Sequence, residues 1–182
     1  APGGKACHLL ELAPGCRLTA VDVDAGRLER VRENLDRLGQ SAELIIGDVA
    51  DPALLADAAP FDRILVDAPC SGTGVLRRHP DIKVLRRDAD AGRLAARQRA
   101  ILDSCWLRLA PGGRLLYATC SLLGAENDGV VGPFLAAHGD ARECTPAVAG
   151  AERTAHGCQL LPGPGGCDGL YYALLARADR SP

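Results

Sequence analysis

Apolar runs alternate with helically periodic segments along almost the whole of this chain, and few folds accept that alternation. An apolar run bounded by turn residues suits a buried strand, and the amphipathic stretch after it suits the crossover helix that covers a parallel sheet. A helix is predicted over 5–13, after a glycine turn, and a strand over 17–21. Leu28, Val31, Leu35 and Leu38 recur at three- and four-residue spacing, which predicts an amphipathic helix over 25–38. Gly39 then stands where a C-terminal cap glycine belongs. Strands are expected over 42–46 and 63–66, the second ending at Asp67. A long polar segment, 68–92, precedes a helix over 93–109 whose apolar members are Leu94, Ile101, Leu102, Trp106 and Leu109. After Pro111-Gly112-Gly113, a strand over 114–118 stops at Thr119-Cys120-Ser121. A helix over 125–137, a loop-like region over 140–169 and a closing strand over 171–176 complete the pattern. With no internal repeat and no linker, residues 1–182 are expected to form one α/β domain of the doubly wound, Rossmann-like type on a mostly parallel sheet.

The chain opens inside a glycine-rich motif, Ala1-Pro2-Gly3-Gly4-Lys5, with no strand before it. The expectation is a domain truncated at its N-terminus and missing its first strand. No apolar run approaches the roughly 18 residues of a membrane span, and no signal-peptide pattern is present, so a cytoplasmic location is expected. The eight cysteines include no CxxC pair and no zinc-like cluster, which points to reduced thiols and no metal. A formal charge of -2 rules out a uniformly basic nucleic-acid clamp. Residues 77–99 nevertheless hold eight Lys or Arg against three Asp. That excess fits either a solvated helix face or a strip that contacts phosphates.

Three strand ends present acids: Asp22, Asp48 after Gly47, and Asp67. Glycines let a backbone approach a ligand closely, and a helix N-terminus favours negative groups. An acid about 20 residues after such a turn can bind ribose hydroxyls, which suits a nicotinamide cofactor as well as S-adenosylmethionine. Asp24 competes with Asp22 for that role, and either could be a plain loop cap. A sharper signal is Asp67-Ala68-Pro69-Cys70-Ser71-Gly72-Thr73-Gly74, where a strand delivers a carboxylate and a proline-fixed turn then presents a thiol. Cys120 ends another strand. Two thiols and an acid at one sheet edge suggest covalent catalysis over core packing.

Ala1–Lys5, Val21–Asp24, Gly47-Asp48, Asp67–Gly74, Tyr117–Ser121 and Gly166–Tyr172 resemble, in order, the motifs of the RNA 5-methylcytosine methyltransferase family. The stretch from Gly74 to Lys83 is most like the branch that acts on small-subunit ribosomal RNA. The resemblance implies an S-adenosylmethionine-dependent methyltransferase fold, S-adenosylmethionine as cofactor, ribosomal RNA as partner and a monomeric, metal-free enzyme. It also implies cofactor contacts from Ala1, Pro2, Gly3, Gly4, Lys5, Asp22, Asp48 and Asp67.

Carbon 5 of cytosine is too poor a nucleophile to take a methyl group directly, and addition of a thiolate at carbon 6 makes it enamine-like. By the resemblance, Cys120 is that thiolate. Cys70 helps to resolve the adduct, either as the base that removes the carbon-5 proton or as an assistant to it. Asp67 would bond the cytosine amino group and N3. Lys5 would lower the thiolate pKa or contact the substrate. The target base has to leave its stack to reach such a pocket. Rival readings are a DNA cytosine methyltransferase with Cys70 as nucleophile, a dinucleotide-dependent oxidoreductase, which leaves both cysteines unexplained, and an inactive cofactor-binding module.

Overall fold

The structure, a computed structural model, describes residues 3–163 and 166–179, with Asp88 described by its backbone alone. Two compact units divide the chain, Ala1–Ala56 and Asp57–Pro182.

The first unit runs α1 (Gly4–Leu12), β1 (Thr19–Asp22), α2 (Ala25–Arg37) and β2 (Glu43–Ile46). The helix that crosses from β1 to β2 lets the two strands pair in parallel, from Thr19 opposite Glu43 to Asp22 opposite Ile46. Leu28, Val31 and Leu35, three of the four apolar residues predicted for α2, pack with Cys7 and Leu10 of α1 against Leu18, Ala42 and Leu44, whereas the fourth, Leu38, is the C-cap residue and is exposed. Gly39 adopts φ 63°, the left-handed conformation expected of it, and the helix closes with Gln40 N donating to Leu35 O at 2.9 Å.

The second unit contains β3 (Phe61–Asp67), α3 (Ile82–Leu85), α4 (Asp88–Arg108), β4 (Leu109–Thr119), α5 (Asp128–Ala137), β5 (Ala141–Glu143), β6 (Ala151–Arg153), β7 (Cys158–Leu160) and β8 (Leu170–Arg177). Its sheet has the order β3-β4-β8-β7-β6, with β5 also pairing β8. β3 and β4, joined through α4, are parallel, as expected of a crossover connection, and the pairs built by the C-terminal strands are antiparallel. Trp106, Tyr117, Tyr171, Phe134, Leu102, Leu115 and Leu175 fill the core, each less than 2% exposed. The Trp106 and Phe134 rings meet edge to face at 5.2 Å.

Three expectations need correction. Helix α4 begins at Asp88, inside the segment expected to be polar loop, because the Asp90 carboxylate accepts the Arg87 backbone N–H at 3.1 Å and closes a first turn whose only apolar residues are alanines. Strand β4 begins at Leu109 and passes through Pro111-Gly112-Gly113, with its pairing to β3 shifting register between Phe61 and Arg63 and Gly112 at φ 72°. The region 140–169 holds β5, β6 and β7, each of three residues, which is too short for a two-residue alternation to be visible.

Asp128, the first residue of α5, ties that region down. Its carboxylate accepts from Tyr171 Oη at 2.8 Å, Thr154 Oγ1 at 2.9 Å, and the Ala155 and His156 amides at 3.1 Å each. Burial pushes its pKa up, but these four donors together outweigh burial and hold it below its ordinary 3.8. A depressed carboxylate stabilises the fold above its unfolded pKa, and that stability is lost as pH falls through the folded value. Stability against urea is therefore expected to fall as pH drops below about 4, and Asp128→Asn to flatten part of that fall. Equal pH dependence in the two proteins would remove Asp128 from this role.

Candidate active site

The parallel register of β3 and β4 sets Asp67 opposite Ala118, and Ala68 N donates to Ala118 O at 3.0 Å. Both strands therefore end at one edge, and the turns that leave them carry Cys70 and Cys120. The two Sγ atoms lie 3.3 Å apart, and both residues are half-buried. Thiols 50 positions apart in sequence thus meet as the strand-end argument expects. Asp67 is exposed between buried Val66 and buried Ala68, so its side chain faces outward at this edge.

The two turns are laced together by backbone. Gly74 N donates to Cys120 O at 2.9 Å, and Gly169 N donates to Gly74 O at 2.8 Å. A Cβ on Gly74 would lie 2.0 Å from Gly169 O and 2.9 Å from Cys120 O, so only glycine permits this approach. Three motif segments, 67–74, 117–121 and 166–172, are joined here. Ser71, Thr73 and Ser121 form a hydroxyl cluster with contacts of 3.1 to 3.3 Å, and Thr73 Oγ1 accepts the Leu122 amide at 2.9 Å.

The Cys70 thiol holds its proton far above the ordinary range. Its hydrogen bond with Cys120 is the largest cause, followed by burial and by the proximity of charge on Cys120. In such a pair the first proton comes off once, and the second is then hard to remove. The arrangement can present one thiolate while its neighbour stays protonated beside it.

Gln98, Glu126 and Asn127 were missing from the sequence expectation. The first two are fully buried and Asn127 is 3% exposed, and all three bond the cysteine turns. One signal pointed to Gln98: it stands four residues from both Leu94 and Leu102, a polar residue in the register of an apolar helix face. Nothing comparable marked Glu126 or Asn127, whose burial depends on the chain passing beneath two distant turns.

Much of the basic stretch 77–99 is engaged within the fold. Arg77 donates to Gly166 O, Arg78 pairs with Asp168, and Arg86 donates to Ser71 O at 2.9 Å. Arg93 pairs with Asp90, and Arg99 with Asp103. A cleft of about 430 Å³ lies beside the turn after Cys70, lined by Ser71, Thr73, Arg86, Arg87 and Asp90 among others.

In the first unit, Gly3 turns at φ 89° and opens α1 without a side-chain cap or an acid in the first turn. Gly4 and Lys5 are the exposed first residues of that helix, while Ala1 and Pro2 lie outside the described residues. Asp22 and Asp48 sit at the ends of the parallel pair, with Gly47 N donating to Asp22 O at 3.0 Å. Each carboxylate holds its own loop through Oδ1, Asp22 from Asp24 N and Asp48 from Ala50 N, both at 2.9 Å. Asp24, the competing candidate, caps α2 by accepting Arg27 N at 3.0 Å. An uncapped glycine turn and two acids on adjacent parallel strand ends fit the hydroxyl-rich nucleoside part of S-adenosylmethionine. A separate cleft of about 460 Å³, lined by Arg32, Asp36 and Gln40 among others, includes none of these residues. Among the described residues no cluster suits a metal ion, and no helix is long and apolar enough to cross a membrane.

Solved structures place the fold. The NSun6 structure from Pyrococcus horikoshii with SFG matches 98% of this chain and 46% of its own at TM-score 0.83 and 27% identity. A methyltransferase homolog protein from Pyrococcus horikoshii matches 97% of this chain and 59% of its own at TM-score 0.81 and 29% identity. The fold is that of the Rossmann-like methyltransferases. Within that class the chain belongs to the 16S rRNA methyltransferase RsmB/F family, whose pattern it matches over residues 1–176. It is 56% identical to ribosomal RNA small subunit methyltransferase B of Shewanella oneidensis over 98% of this chain, and 54% identical to that of Erwinia tasmaniensis over 97%. The chain spans 41% and 40% of the length of those two relatives.

Proposed function

We propose that this protein transfers a methyl group from S-adenosylmethionine to carbon 5 of a cytosine in RNA, specifically small-subunit ribosomal RNA, through a covalent adduct with Cys120. The observation that carries this reading is the thiol pair at 3.3 Å, with the proton held on Cys70. Cys120 Sγ adds to cytosine carbon 6, and the pair of electrons displaced from the 5,6 double bond makes carbon 5 nucleophilic. When bound, S-adenosylmethionine supplies an electrophilic methyl group. Asp67 accepts from the cytosine amino group and, in its protonated form, donates to N3 as charge develops on the ring. The carbon-5 proton then passes to a base, either Cys70 as its thiolate or a base that Cys70 assists, its bonding pair re-forms the 5,6 double bond, and Cys120 departs as a thiolate. A thiol that keeps its proton beside the nucleophile is a poor attacking group, and it can take up the carbon-5 proton only after giving up its own.

Gly3, Gly4, Lys5, Asp22 and Asp48 of the first unit would hold the cofactor, and Ala1 and Pro2 belong to the same proposed set. SFG, an S-adenosylmethionine analogue, accompanies the NSun6 structure and supports that choice of cofactor. Both compact units together serve as one catalytic domain, acting as a monomer. Exposed Arg87, which lines the cleft beside the turn after Cys70, and exposed Lys83 in the same basic stretch are candidates for phosphate contacts.

The test incubates the full-length protein with small-subunit ribosomal RNA and S-adenosylmethionine labelled in its methyl group, followed by nucleoside digestion. Label is expected in 5-methylcytidine, and Asp67→Ala is expected to lower turnover about 100-fold, in the range for loss of one charge-stabilising contact. Label at a ribose, at an exocyclic nitrogen, or nowhere would overturn the reading.

A further inference from the structure

The geometry points to the buried pair Glu126-Asn127 as a two-sided clamp that sets the relative position of the two thiols, an inference that rests on the two-cysteine function proposed above. Glu126 works on the Cys70 side. Its Oε2 accepts the Ser71 amide at 2.8 Å and Gln98 Nε2 at 3.1 Å, while the same Gln98 nitrogen donates to Pro69 O at 2.8 Å. The peptide groups immediately before and after Cys70 are therefore both held by one buried unit. Asn127 works on the Cys120 side, through the hydroxyl of the residue before it and the carbonyl of the residue after it. Its Oδ1 accepts Thr119 Oγ1 at 2.7 Å, and its Nδ2 donates to Ser121 O at 3.0 Å and to Gln159 Oε1 at 2.9 Å.

The clamp is itself tied into the core. Glu126 ends the 3-10 turn Gly124–Glu126, Asn127 precedes helix α5, and the Glu126 carbonyl accepts the hydroxyl of fully buried Tyr117 at 2.7 Å. Because the two side chains belong to consecutive residues, a fixed peptide links the flanks of one cysteine to the flanks of the other. Burying a carboxylate and two amides is costly unless each gains something a leucine would not supply. Here they gain control over where two sulfur atoms sit, and turnover in a preorganised site falls steeply with small misplacements. Glu126, Gln98 and Asn127 are positioning residues, since their bonds end at the turns and not at the thiols.

A purely structural role would impair both cysteines together, whereas the clamp impairs them separately. In the full-length enzyme, Glu126→Leu and Gln98→Leu are expected to lower turnover on the order of 10- to 100-fold, with KM values for RNA and S-adenosylmethionine near those of wild type. Both should accumulate a covalent protein–RNA adduct on denaturing gels, as expected of Cys70→Ala, because only resolution is disturbed. Asn127→Leu should lose turnover without accumulating adduct, as expected of Cys120→Ala, and Glu126→Gln, which keeps an acceptor for Ser71, should restore most activity. If Glu126→Leu fails to fold, Gln98→Leu carries the same test from α4. Folded variants with wild-type turnover, or the same adduct level on both sides of the clamp, would overturn the inference. If Cys120→Ala stays active, or Cys70→Ala yields no adduct, the two-cysteine function itself falls and the clamp falls with it.

Discussion

Cys120→Ala is expected to abolish methyl transfer, by at least about 1,000-fold or roughly 4 kcal/mol of transition-state stabilisation, because without addition at carbon 6 the cytosine ring has no nucleophilic carbon to offer. Cys70→Ala is expected to differ in kind. It should still attack and accept the methyl group, and then stall as an adduct that survives denaturation. A thiol readout separates the roles further. The hydrogen bond with Cys120 is the largest cause of the high Cys70 pKa, and burial is the second. Removing Cys120 should therefore let Cys70 alkylate at lower pH than in wild type, though still above an ordinary thiol because burial remains. Labelled transfer, adduct gels and iodoacetamide pH profiles on the same three proteins make the comparison. An adduct that survives loss of Cys120 and needs Cys70 would reverse the assignment, as in the DNA-type mechanism.

Gly74→Ala should be among the most damaging small substitutions in the chain. The added Cβ would lie 2.0 Å from Gly169 O and 2.7 Å from Gly169 C, with Cys120 O at 2.9 Å. All three atoms are backbone, so no side chain can swing aside, and the turns carrying Cys70, Cys120 and Gly169 would have to separate. A cost of about 3 kcal/mol or more is expected, in the upper range for overpacking. Gly92→Ala is the control. It stands inside α4, where an added Cβ meets nothing within 4 Å, and it should be neutral or stabilise by about 0.5–1 kcal/mol. Urea midpoints of the three proteins test both values. A Gly74→Ala protein as stable as wild type would mean that the lacing is loose.

Local periodicity and strand-end chemistry in the sequence determined the alternating α/β plan, the apolar stripe Leu28, Val31 and Leu35, the cap at Gly39, and the acids and thiols at strand ends. Each depends on neighbours a few residues away, and a period of 3.6 or a run of apolar residues reports such neighbours directly. Elements governed by distant partners were less legible. Strands β5, β6 and β7, three residues each, exist because β8 or one another supply ladder partners, and they were read as loop. The basic stretch read as a possible phosphate strip is tied in part to Asp168, Gly166 O and Ser71 O, contacts made across 15 to 90 positions. That Cys70 and Cys120 share an edge could be argued from strand ends. Their separation of 3.3 Å could not, because it follows from the Asp67–Ala118 register and from Gly74 packed on Gly169. The tertiary structure alone brought Gln98, Glu126 and Asn127 beneath those turns, since a buried polar residue is recognised by its partners, and here the partners lie elsewhere in the chain.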